Sequence, residues 1–443
     1  MRSILSVTDL DAGTLRGLFR KGEDAAGDPL ELGRLLPGRV VAGLLWQEAP
    51  RLEAALRAAC ARSGAVYASG RDLFPGFPGE DLLAAAEAAG AYADILVVRH
   101  PLEGAARAAA EAAGVPVLNA GDGAREDPLR AVLALRGLVA RRGEKPPLTA
   151  ALCGDLRCNR LAHSLAAGLS SLGTTVLLVP ARGAEMPEHA IARIAGRLGR
   201  QPVRFAAQTL KSILDMVDTV VLDPDGPYQH PLFAGLPDAG EEDRRRARAA
   251  LESLEAIFVA APRAEDGGPA PSASRGDAGH PWLRDEGRFV FRPFGSPAGS
   301  AAPRPGELRG EAAREVPLLA EMLRLALGPD GAPPGREEGE VTGSPEGIRC
   351  ANLRCIGRRH PGVAPRFLAA RRDPLVLECL HCGVSVRPRY AGSREERRYH
   401  AIGAGDLRRV LPGNLVYFAT RQEAEQAGFA RARRGPAPEV EGA

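Results

Sequence analysis

Four cysteines carry the clearest chemistry in this 443-residue chain. Cys350-x4-Cys355 and Cys379-x2-Cys382 form two close pairs, with 23 residues between them. Two thiolate pairs at that spacing suit one tetrahedral zinc ion. Four sulfurs fill its coordination sphere and leave no position for a reactive water, so the metal would be structural. His381 sits between two of the ligands and reads as a bystander. The remaining cysteines, Cys60, Cys153 and Cys158, are dispersed, and an odd total of seven points to reduced thiols rather than a disulfide framework. His100 and His163 have no metal-ligand partner at a useful spacing and read as structural. Gly121-Asp122-Gly123 and Gly154-Asp155 read as turns that follow strands.

The segments that would position these residues are short apolar runs alternating with alanine-rich stretches. Val40 to Leu45, Ile95 to Val98 and Val115 to Leu118 have the composition of buried parallel strands. Leu52 to Ala61, Asp81 to Ala89 and Glu103 to Ala113 have helical length and period. Such a βαβ succession predicts a parallel sheet. A hinge-like Gly143-Glu144-Lys145-Pro146-Pro147 precedes a second set of strands at Leu148 to Cys153, Thr175 to Val179, Val203 to Phe205, Thr219 to Leu222 and Ala256 to Ala260. An apolar helix is predicted over Glu315 to Leu327. The expected fold is therefore α/β, with two doubly wound parallel-sheet lobes followed by a small β-rich four-cysteine zinc module and a small C-terminal α+β module. The lobes fall at 1–132 and 133–328, the second carrying a Pro/Gly/Ala-rich insert at 264–312 that is poorly suited to a core. A linker at 329–346 leads to the cysteine module at 347–392 and the last module at 393–434.

The net charge of +3 hides an asymmetry. From Gly347 to Arg434 there are 18 Arg, no Lys and 7 acidic residues, a net +11, against −8 for the rest. A basic tail on an acidic body could meet nucleic acid, an acidic protein face or solvent alone. No apolar run approaches the ~20 residues that span a bilayer, and the N-terminal residues lack the order of a secretory signal. The expectation is a cytoplasmic protein with no membrane partner.

Three motifs occur in a telling order: Arg99-His100-Pro101-Leu102-Glu103-Gly104, Val117-Leu118-Asn119-Ala120-Gly121-Asp122-Gly123, and Gly154-Asp155-Leu156-Arg157 with Arg160 and His163-Ser164-Leu165. Together they resemble the catalytic chain of aspartate carbamoyltransferase. The resemblance implies a carbamoyl-phosphate lobe, an aspartate lobe and a terminal helix that crosses back, in chains that form trimers with active sites at subunit boundaries. Cys350-Ala351-Asn352-Leu353-Arg354-Cys355 with His360-Pro361 and Leu377-Glu378-Cys379-Leu380-His381-Cys382 resembles the zinc domain of that enzyme's regulatory chain, which docks on the catalytic chain. The effector domain that normally precedes it is replaced by the linker, so no allosteric nucleotide site of the usual kind is expected. Tyr399 to Phe429 weakly resembles a small module of DNA-repair methyltransferases, but Ala404, Ala432 and Gly435 stand where that module has cysteines. A hairpin and helix without metal are expected there.

The same resemblance exposes losses. The family's phosphate-binding Ser-Thr-Arg-Thr-Arg reads Ala49-Pro50-Arg51-Leu52-Glu53 here. Its His-Pro-Thr-Gln reads Asp127-Pro128-Leu129-Arg130, and the loop that lends a neighbouring subunit a Ser and a Lys reads Phe74-Pro75-Gly76-Phe77-Pro78-Gly79-Glu80. The aspartate-side Arg-x-Gln aligns with Asp223-Pro224-Asp225, and only Pro262-Arg263 closes a family motif whose first Pro aligns with Ala260. Arg51, Arg99 and Arg160 remain as a residual anion site or as inherited arginines held by local carboxylates, while Glu53, Asp127, Asp223 and Asp225 would repel anionic substrates. The leading expectation is a catalytically inactive or strongly impaired relative, a homotrimer or mixed assembly with an active chain, acting as scaffold or regulator beside pyrimidine synthesis. The rivals are a working carbamoyltransferase, for aspartate or another amino acid, with a rebuilt site, and a nucleic-acid-associated protein using the basic tail.

Overall fold

The computed structural model describes residues 3–141, 146, 149–180, 183–199, 202–204, 217, 219–222, 255–258, 305–328, 340–342, 347–372, 375–402 and 414–432. Asp223 to Asp225, Ala260, Pro262-Arg263, Ala404, Gly435 and most of the predicted insert and linker lie outside them. The chain divides into two compact units, Met1–Pro334 and Gly335–Ala443.

In the first unit, β1 (Val40–Leu45), β2 (Val66–Ser69), β3 (Ile95–His100) and β4 (Val117–Asp122) form a parallel sheet in the order β2-β1-β3-β4. Around it run α1 (Ala12–Gly27), α2 (Pro29–Leu32), α3 (Pro50–Ser63), α4 (Gly70–Leu73), α5 (Leu82–Gly90), α6 (Ala105–Ala113) and α7 (Pro128–Arg141). All six residues of β3 are buried, Arg99 and His100 included. Val-, Ile- and Leu-rich strands covered on both faces need helices on both sides, and the alanine-rich α5 and α6 pack closely against one another. A second parallel sheet has the order β7-β6-β5-β8-β9 and consists of β5 (Thr149–Gly154), β6 (Thr175–Pro180), β7 (Val203–Arg204), β8 (Thr219–Leu222) and β9 (Glu255–Phe258). With it go α8 (Arg160–Ser171) and α9 (Glu188–Leu198). Both sheets are doubly wound, as expected, and the strand order reverses between β1 and β3 and between β5 and β8. Crevices open outside the carboxyl ends of the strands at such switch points.

The helix α10 (Pro305–Leu327) starts ten residues before the predicted Glu315 and keeps its course through Pro317. The sequence marks only its buried part, because Val316, Leu318, Leu319, Met322, Leu323 and Ala326 join the main core whereas Ala312 to Arg314 are exposed. It returns across the first lobe to lie on α1 and α3, close enough that a Cβ on Gly22 would stand 3.2 Å from Leu318.

In the second unit, β10 (Glu340–Thr342), β11 (Arg366–Arg372), β12 (Leu375–Cys379) and β13 (Ser385–Val386) form an antiparallel sheet beside the short α11 (Ile356–Arg359). A further sheet, β16-β14-β15-β17, comprises β14 (Tyr390–Ser393), β15 (Arg398–Ala401), β16 (Leu415–Phe418) and β17 (Ala430–Arg431). Its helix α12 (Arg421–Gln426) opens with a Thr420–Glu423 capping box, and Phe429 packs on Phe418 at 5.0 Å between ring centres. This is the hairpin and helix that the sequence predicts. Among the described residues no helix is long and apolar enough to cross a membrane.

Candidate functional site

The second unit builds one metal centre. Cys355 sits at the N-terminus of α11, where its carbonyl accepts from Arg358 and Arg359 N–H, and Cys379 ends β12. The turn after Cys379 closes through Gly383 N–H to the Cys379 carbonyl at 2.7 Å, and Gly383 supplies the positive φ, 82°, with which the chain leaves that turn. All four sulfurs are buried and lie within 4.8 Å of one another, with Cys350–Cys382 at 3.4 Å and Cys355–Cys379 at 3.7 Å. Zinc–sulfur bonds of about 2.3 Å in a tetrahedron separate the sulfurs by about 3.8 Å, so the cage already has the size the ion requires. Zinc is the cofactor of this module, Cys350, Cys355, Cys379 and Cys382 are the residues that would hold it, and with four thiolates its role is structural. His381 is no ligand: its Nε2 lies 3.0 Å from the Ala364 carbonyl, and its ring fills the space a side chain at Gly357 would take.

The first unit gathers charge where its two lobes meet. Arg99 is the last but one residue of β3, Arg130 lies in the first turn of α7, and Arg160 opens α8 of the other lobe. All three surround one carboxylate, that of Asp127. Its Oδ2 is 3.5 Å from Arg99 Nη1, 3.6 Å from Arg130 Nη1 and 3.6 Å from Arg160 Nε. Its Oδ1 accepts from Arg130 N–H at 3.2 Å, and its own N–H donates to Ser164 Oγ of α8 at 2.9 Å. Relative exposures are 0% for Asp127, 1% for Arg160, 4% for Arg130 and 7% for Arg99, which places the group out of reach of bulk water. Burial, then repulsion by Arg160, holds the Arg99 guanidinium below its ordinary range, while Asp127 works in the opposite sense. Arg160 Nη1 also donates to Gln47 Oε1 and to the Gly123 carbonyl, both at 3.1 Å.

A second layer fixes this cluster. Asp122, at the end of β4, accepts from Gly104 N–H, Asn119 Nδ2 and Glu126 N–H and faces Arg125 at 3.7 Å. Burial is the main influence on it and raises its pKa. Glu126 accepts from Ser6 Oγ at 2.7 Å and pairs with Arg193 of α9 at 3.2 Å, a further bridge between lobes. Gly121 and Asp122 are thus strand residues rather than the turn that composition predicts, as is Gly154 at the end of β5. Gly121 has φ 120°, and a Cβ there would lie 2.9 Å from both Arg160 Cζ and Arg99 Nη1. The glycine is present because two guanidiniums pass over it.

The phosphate-loop equivalent is closed off. Ala49 precedes α3 without a side-chain cap, Pro50 removes one of the free N–H groups, and Leu52 is buried in the core. Arg51 is half-buried in the first turn and makes no ion pair among the described residues, so the structure joins Arg99 with Arg160 but not with Arg51. Glu53 turns to Arg57 at 3.0 Å, and Asp127 is enclosed by cations. The Phe74–Glu80 loop folds onto its own chain. Phe77 packs on Trp46 with the rings tilted at 5.0 Å, Trp46 meets His100 edge-on at 5.2 Å, and Trp46 Nε1 donates to the Glu80 carbonyl. Trp46, Gln47 and Arg193 carried no signal in the sequence, since each acquires its place only through the meeting of distant segments.

Residues 2–137 match the aspartate/ornithine carbamoyltransferase carbamoyl-phosphate binding domain, and residues 340–389 match the metal binding domain of the aspartate carbamoyltransferase regulatory chain. The chain is 32% identical over 205 residues to the aspartate carbamoyltransferase catalytic subunit of Archaeoglobus fulgidus, a stretch that covers 45% of this chain and 68% of that one. It is 32% identical over 227 residues to the Methanothrix thermoacetophila catalytic subunit, covering 50% and 72%. In fold it is similar to Trypanosoma cruzi aspartate transcarbamoylase in complex with carbamoyl phosphate, at 22% identity and TM-score 0.53 over 73% of this chain and 94% of that one. Two doubly wound lobes, a returning helix and a four-cysteine module agree with these matches, and the chain belongs to the aspartate carbamoyltransferase family.

Proposed function

We propose that this protein is a non-catalytic member of its family, a scaffold or regulatory subunit related to pyrimidine synthesis. One observation carries the reading: the Asp127 carboxylate lies among Arg99, Arg130 and Arg160 where a substrate anion would need those cations. Transfer needs preorganised donors aimed at developing charge, and loss of one such donor typically costs about 10² to 10³ in rate. Here the donors are spent on the protein's own carboxylate. Arg51, Arg99 and Arg160 are retained family cations in this reading, and only Arg51 is open to an external anion. The trimer surface of the carbamoyl-phosphate lobe and the zinc module would supply assembly, with copies of itself or with an active chain.

The second reading, an active enzyme with a rebuilt site, draws on the relatives' names as catalytic subunits. Transfer of label from carbamoyl phosphate to aspartate by the purified chain separates the two. The expected result is no turnover above background. Turnover within tenfold of a typical ~10 s⁻¹ enzyme, abolished in Arg51→Ala, would overturn the non-catalytic reading.

A further inference from the structure

We propose that Asp127 is a built-in anion: its carboxylate does what a bound oxyanion would otherwise do, holding the two lobes together without any ligand. The inference rests on the non-catalytic reading and deepens it, by naming the group that fills the site.

The argument begins with charge. Arg99, Arg130 and Arg160 bring three guanidiniums into one buried volume, and among the described residues the carboxylate in ion-pair contact with all of them is Asp127. Buried cations without an anion are not tolerated, because the cost of removing them from water is repaid only by close opposite charge. The cations also come from both sides of the crevice: Arg99 and Arg130 from the first lobe, Arg160 from the second. An anion between them is therefore a clamp. Asp127 is placed for that task by its backbone, whose N–H donates to Ser164 Oγ on the same helix as Arg160. The contacts at 3.5 to 3.6 Å are ion pairs rather than short hydrogen bonds, and Asp127 Oδ2 has no hydrogen-bond partner within bonding distance. An oxyanion supplies the charge that three guanidiniums require, so it is the ligand the site would take once Asp127 no longer fills it.

The test is thermal unfolding of the full chain, as wild type, Asp127→Ala and Asp127→Ala/Arg130→Gln, in chloride and in inorganic phosphate at equal ionic strength. Wild type is expected to unfold at one temperature in both salts. Asp127→Ala is expected to unfold several degrees lower in chloride and to gain about 3 °C or more in ~10 mM phosphate, as a ligand that binds only the folded state requires. The double variant, with one cation fewer, is expected to lie between them in chloride and to respond less to phosphate. If Asp127→Ala does not fold in chloride, folding in phosphate is the supporting outcome. Equal phosphate shifts in wild type and Asp127→Ala would overturn the proposal, as would an Asp127→Ala protein indifferent to phosphate or unfolded in both salts. The readout needs no turnover. Carbamoyl transfer by wild type would remove the non-catalytic reading, whereas a phosphate shift as large in wild type as in the Asp127 variant would remove this one.

Discussion

At the scale of single residues, the junction of the lobes depends on what is left out as much as on what is present. Gly121 lacks the Cβ that would stand 2.9 Å from Arg160 Cζ and Arg99 Nη1, and its φ of 120° is one that side chains disfavour. Gly121→Ala should therefore cost strain and displaced cations together, about 3 kcal/mol or more in urea unfolding. Gly173→Ala supplies the control. Its φ of 94° is equally disfavoured, but a Cβ there meets nothing within 4 Å, so about 1 kcal/mol is expected. Equal losses at the two sites would mean that the arginines do not press on Gly121. His163 offers a pH test in the same region. Its Nε2 lies 2.7 Å from the Leu156 carbonyl and its Nδ1 3.1 Å from the Arg125 carbonyl, yet burial dominates and lowers its pKa below 6.5. The unfolded chain then takes up the proton more readily, so the stability His163 contributes is present above pH ~6.5 and is lost as pH falls toward the folded value. The stability gap between wild type and His163→Gln should narrow by up to about 1.4 kcal/mol per pH unit below that point. A gap that stays constant from neutral to mildly acidic pH would refute it. Asp127 itself was visible in the sequence as a lost histidine and as a charge hostile to anionic substrates, not as a partner of arginines. Nothing in linear order tells that a carboxylate meets Arg99 and Arg160, because burial and the approach of α8 decide its partners.

At the scale of elements, α10 shows how far sequence pattern reaches. The apolar residues after Val316 announce a buried helix, and that part was legible; the exposed turns before it have no apolar period and were not. The same holds for strand ends. Ile95 to Val98 reads as strand because it is apolar, but Arg99 and His100 continue β3 and carry the site. Functional residues sit where apolar pattern stops, since the crevice lies beyond the carboxyl ends of the strands. The packing of α10 on α1 can be tested at Gly22, where a Cβ would lie 3.2 to 3.3 Å from Leu318. Gly22→Leu should push the two helices apart and destabilise by about 2 to 3 kcal/mol, as overpacking does. Gly17→Ala, in the same helix with open space around it, should instead stabilise by about 0.5 to 1 kcal/mol. Chemical denaturation of the two variants reads both signs. A stabilised Gly22→Leu would show that α10 does not lie close against α1.

For the whole molecule, the division into two units gives zinc a role that is confined to one of them. The first unit has a continuous apolar core running through both lobes and α10. The second has only small clusters among its described residues, and one of these is built around the sulfurs themselves, with Ile348, Phe367, Leu377 and Val386 packed on Cys350, Cys355, Cys379 and Cys382. So little apolar surface cannot order a sheet alone, and small domains of this kind rely on metal. Binding of a structural zinc releases about 10 kcal/mol or more, comparable to the entire stability of an ordinary domain. The metal therefore decides whether this module folds, whereas the first unit does not depend on it. The purified, reduced chain should carry one zinc ion. Cys379→Ser should abolish that zinc and leave residues after Gly335 open to limited proteolysis, with the carbamoyltransferase-like unit still unfolding at its wild-type temperature in calorimetry. Cys158→Ser, at an exposed thiol outside the cage, should change neither zinc content nor cleavage. A Cys379→Ser protein that loses its zinc but resists proteolysis as wild type does would show that the module folds on its apolar contacts alone.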